Sequence, residues 1–539
     1  MLIDTRKLED GTNLSATLCI VGGGVAGITL ALEMMRHGVD TVLLESGGLK
    51  PDSATRDLYR GPSTGLPYAF ADGCRSRFLG GSSNCWGGWC RPLQAHDMAE
   101  RAWVPNSGWP FGIDELLPYY ERAHPVMQLG PVNYDVDYWA HAINRPDVRR
   151  IALTSGRVLD SISQFSPPTR FGQHYRDVLA KSRDVRVCLY ANVLDIETDE
   201  AACTVQRLQV RTLSGRHITV QARHFVLAAG GIENPRLLLA ANKQQSAGLG
   251  NAHDLVGRYF MDHPRLMLGS VRYHNSQTHN KLYDIKFHYL NKAVSANGTC
   301  VAAQFAISPE VQQQEGLMNA QLWFDSIFPG EGTQAAEAVI RMKHRLHAKV
   351  DPDFSFWADM AVLAQHPVNT ANFVVARLLH PRSLIRDVTV QVICEPPPER
   401  DSRVTLSDQR DALGMPRAQV TWRLDSEVLK RTFDRSLAIF AQELKLAGVA
   451  DVTLPAPIEG KAWPRAVEGT WHHSGTTRMN DSPKLGVVDR HCRMHGMSNL
   501  YVAGSSVFPT SGANFPTISI AAMTIRLADH LHRVIGQTA

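Results

Sequence analysis

The stretch 17-TLCIVGGGVAGITLALEMMRHGVDTVLLESGG-48 decides the fold of this protein. It opens with a short apolar run, residues 18–21, whose length and branched side chains are typical of a buried parallel strand. Residues 22–27 fit the pattern G-x-G-x-x-G, and a helical run over residues 28–37 follows them. A second apolar strand then ends at Glu45. This order of strand, turn, helix, strand and acid predicts a dinucleotide site.

Each part of the stretch has a physical role at such a site. Gly22 permits the tight turn, Gly24 lets a pyrophosphate approach the backbone, and Gly27 lets the helix pack closely on the strand. The helix N-terminus faces the phosphates, and Glu45 can accept hydrogen bonds from a ribose. An acid on the ribose favours FAD or NAD over NADP. The cofactor-binding residues predicted here are Gly22, Gly24, Val25, Ala26, Gly27, Glu45 and Ser46.

The bulk composition indicates a globular protein of two domains. The chain has 539 residues, 44% hydrophobic and 20% charged, which is long for one core. Its net charge of +4 is too small to predict nucleic-acid binding. No run of about 18 apolar residues predicts a membrane span, and no export signal is visible at the N-terminus. The 9 cysteines are scattered, so we expect a cytoplasmic protein without a disulfide framework, metal cluster, iron–sulfur centre or haem.

A second glycine-rich segment, 77-RFLGGSSNCWGGWC-90, is predicted to be a loop. Glycines and small polar residues between aromatics make poor regular structure, but their amides and hydroxyls can approach and bind a ligand. The residues of this loop expected to contact the cofactor are Gly80, Gly81, Ser82, Ser83, Asn84, Cys85 and Trp86.

The chain returns to the dinucleotide domain further on. Residues 185–222 alternate in a way that predicts an antiparallel meander, with Val193 near the cofactor. The segment 224-HFVLAAGGIENP-235 is another buried strand running into glycines and a helix, and it adds Ala229, Gly230 and Asn234 to the predicted site. The middle of the chain mixes strand-like segments with long helical patterns. Residues 335–350 place Val339, Met342, Leu346 and Val350 on one stripe, which predicts a core-facing helix with a solvated basic face.

The C-terminal part carries the densest chemistry. The segment 471-WHHSGTTRM-479 places two histidines before a Gly-Thr turn. A buried strand, 500-LYVAG-504, leads into the loop 505-SSVFPTSGANFPT-517, and a closing helix is predicted over residues 518–532. The predicted cofactor contacts in this part are Gly504, Ser505, Asn514, Phe515 and Thr517.

Four blocks together resemble the glucose–methanol–choline (GMC) oxidoreductases, FAD enzymes that oxidise alcohols. They are GGGVAG with LLES, LGGSSNCWGG, VLAAGGIENPRLLL, and WHHSGTTRM with NLYVAGSSVFPTSGANFPTISIAA; DLVGRYFMDHP and DSRVTL are similar to further family segments. The details look most like the branch of pyranose oxidases and bacterial fructose, gluconate and glucose dehydrogenases. The blocks bracket nearly the whole chain, and its middle is thinly matched.

The resemblance implies an α/β fold with FAD as the cofactor. A discontinuous Rossmann-like FAD-binding domain is expected over residues 1–265 and 465–539, which agrees with the returning strands noted above. Residues 266–464 are expected to form an α+β substrate domain built on an antiparallel-rich sheet.

The resemblance also implies the catalytic pair. Oxidising a carbinol requires a base for the hydroxyl proton while a hydride passes from carbon to flavin N5. The histidine of the family's His-x-x-Gly-Thr motif, which faces the flavin, is His472 here, and its partner before the Pro-Thr turn is Asn514. An imidazole with a pKa near ~6.5 suits a base, so the rate is expected to rise with pH through that value. His473 is expected to point away from the flavin.

Cys85 departs from the family pattern. Several relatives in the branch have His at this position, the residue that carries the covalent flavin link in pyranose oxidases. A cysteine there could hold a thioether to the flavin or be a small buried residue, and we favour the second interpretation.

Three functions remain open from the sequence. The first is an FAD-dependent dehydrogenase or oxidase of a sugar, glycoside or other alcohol, passing electrons to oxygen or to a separate acceptor, which could be a separate electron-transfer chain in a complex. The second is a GMC-type lyase with redox-silent FAD, and the third is a redox-silent binding subunit. The substrate cannot be deduced; Trp323, Phe324, Phe356 and Trp357 could stack on a sugar, although such aromatics are more often core residues.

Overall fold

The computed structural model describes residues 1–70, 73–275, 279–287, 294–346, 355–379, 382–424, 426–456, 467–513 and 515–537. Its strands are β1 (Leu2–Asp4), β2 (Thr12–Val21), β3 (Thr41–Glu45), β4 (Ser63–Gly65), β5 (Trp89–Cys90), β6 (Val158–Phe165), β7 (Val185–Leu189), β8 (Asn192–Thr198), β9 (Val205–Arg211), β10 (His217–Leu227), β11 (Pro264–Leu268), β12 (Ser270–Tyr273), β13 (Ser295–Ala296), β14 (Thr299–Ile307), β15 (Ala320–Ile327), β16 (Asp387–Cys394), β17 (Arg403–Arg410), β18 (Pro416–Trp422), β19 (Ala450–Thr453), β20 (Glu468–Gly469) and β21 (Leu500–Val502).

The helices alternate with these strands. They are α1 (Val25–Arg36), α2 (Ser53–Asp57), α3 (Ala95–Met98), α4 (Leu117–Val126), α5 (Val136–Ile143), α6 (Phe171–His174), α7 (Arg176–Lys181), α8 (Gly230–Ala240), α9 (Pro309–Glu315), α10 (Gln334–Leu346), α11 (Phe356–Gln365), α12 (Pro367–Leu379), α13 (Glu427–Leu446) and α14 (Thr517–Gln537).

The first sheet is the dinucleotide-type sheet that the sequence predicts. Strands β1, β7, β3, β2 and β10 lie side by side in parallel, and β21 joins β10 in the same direction. Helix α1 begins at Val25, three residues before the predicted start, because Gly24 has the extended conformation of a cap. It ends at Arg36, just before Gly38, whose positive φ of 65° a glycine adopts without strain. Helix α1 packs on α14, which packs on α4.

The predicted meander is smaller than expected. Strands β8, β9 and the first part of β10 pair antiparallel. Strand β7 instead pairs in parallel with β3 and β1, because its apolar run is buried inside the sheet. The prediction was therefore right for residues 192–222 and wrong for β7.

The second sheet is largely antiparallel, in the order β20–β11–β16–β15–β14–β6–β5, with β13 beside β14. Helix α13 packs on β15, β16 and β19, and closes a second apolar core around Phe305, Phe324 and Phe440. Strands β5 and β6 come from within residues 1–265, and β20 comes from within residues 465–539. We therefore propose the predicted division into FAD-binding and substrate domains with these three strands assigned to the substrate domain.

The helices α10, α11 and α12 form an insertion between β15 and β16, which are themselves neighbours in the sheet. Among the side chains of α10 that the structure describes, Ala335, Ala336 and Ala338 are buried, whereas Val339 and Met342 are only half-buried. The buried face of α10 is thus formed by the alanines rather than by the predicted stripe of Val339 and Met342, because small side chains allow the neighbouring helices to approach closely. The side chain of Leu346 and all of Val350 lie outside the described residues. Within the described part of the chain, no helix has the length and hydropathy needed to cross a membrane.

Candidate active site

A cavity of about 470 Å³ lies between the two sheets. Its wall on one side consists of the loops at the ends of β2, β3, β10 and β21, and on the other side of residues from β11, β15 and β16. The carboxyl ends of parallel strands at a change in strand order are where such folds bind ligands. The cavity therefore joins a cofactor region to a second region at the antiparallel sheet.

Glycines make the cofactor side of the cavity accessible. A Cβ added to Gly24 would meet only the Cα of Gly81, at 3.9 Å, and one added to Gly230 or Gly504 would meet nothing within 4 Å. A Cβ on Gly27 would instead overlap the carbonyl oxygen of Gly22. Gly27 therefore serves helix packing, while the other glycines leave space at the surface of the cavity.

Glu45 lies at the end of β3 with its carboxylate on the glycine turn. Its two oxygens accept hydrogen bonds from the amides of Gly23, at 3.0 Å, and Gly47, at 2.7 Å. Burial raises the pKa of this carboxyl group and outweighs the hydrogen bonds from those amides, which lower the pKa. An ionised carboxylate has about four acceptor positions, so lone pairs remain for ribose hydroxyls.

The loop at residues 80–86 is fixed to the turn by main-chain contacts. The amide of Gly80 donates to the carbonyl of Gly23 at 2.7 Å, and the Asn84 side chain donates to the carbonyl of Leu79 at 3.1 Å. The Trp86 indole donates to the carbonyl of Thr169 at 3.1 Å. These contacts hold the loop against the cavity.

Asn234 has a similar supporting position. Its side chain accepts from the amide of Ala229 at 2.8 Å and donates to Ser506 Oγ at 3.0 Å and the carbonyl of Ala503 at 3.3 Å. It thereby ties the turn after β10 to the loop after β21.

The predicted cofactor residues divide into three groups. Those that line the cavity are Gly22, Gly24, Val25, Ala26, Glu45, Ser46, Gly81, Ser82, Ser83, Cys85, Trp86, Val193, Ala229, Gly230, Gly504, Ser505, Phe515 and Thr517. Those that lie behind its wall are Gly27, Gly80, Asn84 and Asn234. Asn514 lies outside the described residues.

His472 lines the cavity on a loop that is paired with the start of β11. Asp262 anchors this loop: Oδ1 accepts from the amide of His472 at 2.7 Å, and Oδ2 from the amide of Trp471 at 2.9 Å and the Tyr68 hydroxyl at 2.6 Å. Burial opposes ionisation of Asp262, but the neighbouring imidazoles and these donors outweigh it and lower its pKa. A charged carboxylate thus fixes the backbone at the histidine.

The hydrogen-bond network determines which nitrogen of His472 carries the proton. His263 Nε2 lies 2.7 Å from the carbonyl of Gly512, which can only accept, so this nitrogen is protonated. Burial lowers the pKa of His263, so its ring is neutral and its Nδ1 is an acceptor. His472 Nδ1 lies 3.1 Å from that atom and 3.1 Å from Thr470 Oγ1.

Thr470 supports the same assignment. Its hydroxyl has one proton, which it can donate to Asp262 Oδ1 at 3.1 Å, leaving a lone pair toward His472. His472 Nδ1 is therefore the donor to both neighbours, and Nε2 carries the lone pair. No hydrogen bond to His472 Nε2 is present among the described residues, and the ring lines the cavity.

Burial lowers the pKa of His472 to about 3, and His263 adds to the effect. The sequence-based expectation of an ordinary value near ~6.5 was therefore wrong, because the ring is removed from water beside other imidazoles. At neutral pH the ring is uncharged.

His473 also borders the cavity rather than only pointing away from it. Its ring packs edge-on against Tyr68, with centroids 5.8 Å apart, and its Nε2 is buried without a hydrogen-bond partner in the described chain. Burial lowers its pKa to about 4. Its carbonyl accepts from Ser505 Oγ at 2.6 Å, which fixes the loop after β21.

An aromatic wall faces His472 on the side of the antiparallel sheet. Phe515 packs edge-on against the His472 ring at 5.7 Å and stacks on Trp89 at 4.7 Å, and Trp89 lies 6.0 Å from Trp323. The buried Nε1 of Trp323 and Oε1 of Gln391 have no partners in the described chain, and both residues line the cavity.

Of the four aromatics that the sequence offers as possible stacking residues for a sugar, only Trp323 lines the cavity. Phe324 packs in the second core, because successive residues of a strand point to opposite faces. Phe356 and Trp357 are exposed on α11. The expectation that such aromatics are more often core residues therefore holds for Phe324, whereas Phe356 and Trp357 belong neither to the core nor to the lining of the cavity.

The sequence missed several residues of the cavity. Arg75 and Arg77 form ion pairs with Glu233 at 2.9 and 3.4 Å, and all three line the cavity. Arg265, Gln391 and Trp89 also line it. Arg77 and Trp89 stand in the predicted loop 77–90 and Glu233 in the segment 224–235, but no spacing there marks these three side chains, and Arg75, Arg265 and Gln391 lie outside any motif.

The residues present fit a dinucleotide with an attached flavin. The N-terminus of α1 has no side-chain cap, so its amides remain for phosphates. Open glycine positions adjoin it, and Glu45 lies at the end of the next strand. Cys85 lines the cavity with its thiol 3.3 Å from the carbonyl of Ser82.

Comparisons with known proteins agree with this geometry. Residues 398–524 match the family model described as GMC oxidoreductase. The fructose dehydrogenase large subunit of Gluconobacter japonicus is 24% identical, over 96% of this chain and 97% of that protein. An FAD-dependent oxidoreductase from Chaetomium thermophilum has a similar fold, with a TM-score of 0.54 and 16% identity over 96% of this chain and 99% of that one.

A third relative has higher identity. The protein named Dehydrogenase str4, from Strobilurus tenacellus, is 36% identical over 98% of this chain and 95% of its own length. With the family-model match and nearly full-length coverage, the chain belongs to the GMC oxidoreductases and is an FAD-dependent dehydrogenase or oxidase.

Proposed function

We propose that the protein oxidises a CH–OH group of a sugar or another polyol to a carbonyl. The substrate loses its hydroxyl proton and, from carbon, a hydride. FAD, when bound, supplies the acceptor for the two electrons of the hydride at flavin N5. His472 accepts the proton at Nε2, and Asn514 orients the substrate oxygen.

The observation that carries the proposal is the state of His472. Its Nδ1–H is held by His263 and Thr470, so the Nε2 lone pair is available in the cavity between the glycine turns and the aromatic wall. A neutral imidazole held in one orientation is the form that a general base requires. By contrast, Nε2 of His473 has no hydrogen-bond partner in the described chain.

The lining of the second region supports a polyhydroxylated substrate. Trp89 and Trp323 contribute aromatic surface to this part of the lining, against which the apolar side of a sugar can pack. The unpartnered indole N–H of Trp323 and amide oxygen of Gln391 offer one donor and one acceptor to hydroxyl groups. The name of the Gluconobacter japonicus relative, a fructose dehydrogenase subunit, agrees with this choice.

The electrons then leave for oxygen or for a separate acceptor. When the protein is mixed anaerobically with sugars, polyols and small alcohols, the productive substrate should bleach the flavin absorbance. The rates at which air and an artificial acceptor reoxidise the reduced flavin then distinguish an oxidase from a dehydrogenase. Product formation without bleaching would instead indicate the lyase.

Three variants test the assignment of the base. His472→Ala should lower the rate of anaerobic flavin reduction by ~10²–10⁴-fold with FAD retained. Asn514→Ala should cost less, since it removes orientation rather than the acceptor, and His473→Ala should be the mildest. An active His472→Ala beside an inactive His473→Ala would mean that the wrong histidine has been assigned.

A further inference from the structure

Trp471 is a large aromatic residue at the opening of the cavity, and the mechanism proposed above does not use it. It directly precedes His472 and lines the cavity, yet it is 47% exposed. Trp89 and Trp323, which line the same cavity in the aromatic wall, are only 6% and 3% exposed. Trp471 therefore borders the solvent as well as the cavity, so it forms part of the entrance.

The backbone of Trp471 has a conformation that a bulky residue adopts only at a cost. Its φ is 63°, in the left-handed region that favours glycine. Asp262 Oδ2 accepts from its amide at 2.9 Å, and its indole N–H donates to the carbonyl of Ala69 at 3.1 Å. These two hydrogen bonds hold the ring at the entrance. A glycine would adopt this backbone without strain, so the position carries an indole at a conformational cost, as residues at functional sites often do.

The exposed indole provides aromatic surface rather than a hydrogen-bond donor. Its single polar hydrogen is already bonded to the carbonyl of Ala69. What remains for a ligand is the apolar part of the ring system, which stabilises another ring that packs against it. The entrance therefore fits a ligand that extends out of the cavity as a ring.

Two planar polar side chains belong to the same entrance. Glu468 of β20 is exposed three residues before Trp471, and it pairs in the sheet with Arg265 of β11, which lines the cavity. Arg265 Nη2 donates to Glu468 Oε2 at 2.9 Å. A guanidinium and a carboxylate offer donors and acceptors to hydroxyl groups. The entrance thus combines aromatic surface with polar groups that suit a ring bearing hydroxyls.

We propose that Trp471 determines specificity for glycosides, by packing against the ring that is linked to the sugar unit under oxidation. The inference rests on the proposed function: the unit that is oxidised occupies the buried region at Trp89 and Trp323, and the linked ring stays at the entrance. A linear polyol or a free monosaccharide has no second ring to pack on Trp471. The substrate class that this entrance fits is a glycoside whose linked group is a sugar or an aromatic ring.

Anaerobic flavin reduction of the FAD-loaded protein tests the proposal with matched substrates. They are the sugar that bleaches the flavin, its methyl glycoside and its phenyl glycoside, and only the phenyl glycoside has a second ring. In the wild type, the half-saturating concentration of the phenyl glycoside should be about tenfold below that of the methyl glycoside. Trp471→Ala should abolish most of this preference. Trp471→Phe should keep it, because a benzene ring replaces the indole without its N–H.

Trp357→Ala is the matched control, because Trp357 is an exposed tryptophan on α11 that does not line the cavity. It should keep the preference of the wild type for the phenyl glycoside. Trp471→Gly should lose the preference as Trp471→Ala does, but it should melt at a higher temperature than Trp471→Ala, since glycine adopts a positive φ without strain.

The inference would be overturned by a wild type that binds the two glycosides equally, or by a Trp471→Ala variant that keeps the preference. It would also be overturned if the free sugar is oxidised while both glycosides are inert. Loss of FAD from Trp471→Ala, with both glycosides weakened alike, would assign the ring to the cofactor instead. If no sugar or glycoside bleaches the flavin, the proposed function itself is wrong, and this inference falls with it.

Discussion

The orientation of the His472 ring depends on one N–H shared between two acceptors, and this arrangement predicts a specific pattern of mutational effects. Nδ1 lies 3.1 Å from both His263 Nδ1 and Thr470 Oγ1. His263→Gln keeps a donor for the carbonyl of Gly512 but replaces the ring nitrogen that faces His472 by an amide oxygen bonded to the same carbon as that donor, so the acceptor is displaced from the Nδ1 position. Thr470→Val removes the other acceptor with little change in shape, and it also removes the hydroxyl that donates to Asp262 Oδ1 at 3.1 Å.

The expected sizes of the rate effects follow from the sharing of one N–H of His472 between two acceptors. A hydrogen bond contributes about 0.5–1.5 kcal/mol net, so losing one of two shared acceptors should slow flavin reduction only about threefold. Losing both leaves a buried donor unsatisfied, which costs about 1–3 kcal/mol, and lets the ring place its proton on Nε2. The double variant should therefore be slower by about thirtyfold or more, which exceeds the product of the single effects.

The assay is anaerobic stopped-flow reduction of the bound flavin at saturating substrate. FAD content, measured from the absorbance released on denaturation, controls for loss of the cofactor. If the rate of the double variant equals the product of the two single effects, or if a single variant is as slow as His472→Ala, the proposal that one N–H is shared between two acceptors is refuted.

Three further predictions concern the cofactor and the pH dependence. The wild type should purify with stoichiometric FAD. Gly24→Val should lose the FAD while still folding, since the protein atom nearest to an added Cβ is 3.9 Å away. Colourless wild-type protein that FAD cannot reconstitute would contradict the assignment of the FAD site. Acid precipitation should release the flavin into the supernatant, and retention in the pellet that Cys85→Ser abolishes would show a thioether. The rate of flavin reduction should be constant from about pH 5 upward and fall only toward the His472 pKa of about 3, because the neutral ring is the active form; a rise centred between pH 6 and 7 would show that the ring is hydrated in solution.

The cofactor side of the cavity could be predicted because its signals are local. Gly22 to Glu45 form one continuous unit, and each glycine has a conformational or packing reason that the sequence spacing reveals. Asn234 and Asn84, both predicted cofactor contacts, hold loops beside the cavity rather than line it. Sequence spacing predicts where a residue is in the chain, and it does not predict which way its side chain points.

The substrate side could not be predicted in the same way. Trp89, Trp323 and Gln391 belong to β5, β15 and β16, which are far apart in the chain and meet only through sheet pairing. A shift of one residue along a strand reverses the face, and this is why Trp323 lines the cavity while Phe324 packs in the core. Likewise, the low pKa of His472 depends on burial and on His263, which a motif does not encode.

Asp262 links the stability of the loop that carries Trp471 and His472 to the rate of flavin reduction. Its two oxygens accept from four donors: the amides of His472 and Trp471, the Tyr68 hydroxyl and the Thr470 hydroxyl. In Asp262→Asn one oxygen becomes an NH₂ group, so at least one donor on that side faces another donor.

Hydrogen bonds to a charged group contribute about 1.5–3 kcal/mol each, so we expect Asp262→Asn to lower the free energy of unfolding by about 3–5 kcal/mol and to slow flavin reduction at least tenfold. Tyr68→Phe removes one donor only and should cost about 1–3 kcal/mol, with a smaller effect on the rate. Because the pKa of Asp262 is lowered in the folded protein, its contribution is present above the unfolded value of about 3.9 and is lost as the pH falls below it. Equal melting temperatures for the wild type and Asp262→Asn at pH 7 would mean that the carboxylate does not hold the loop, and the fixed orientation of His472 would then need another cause.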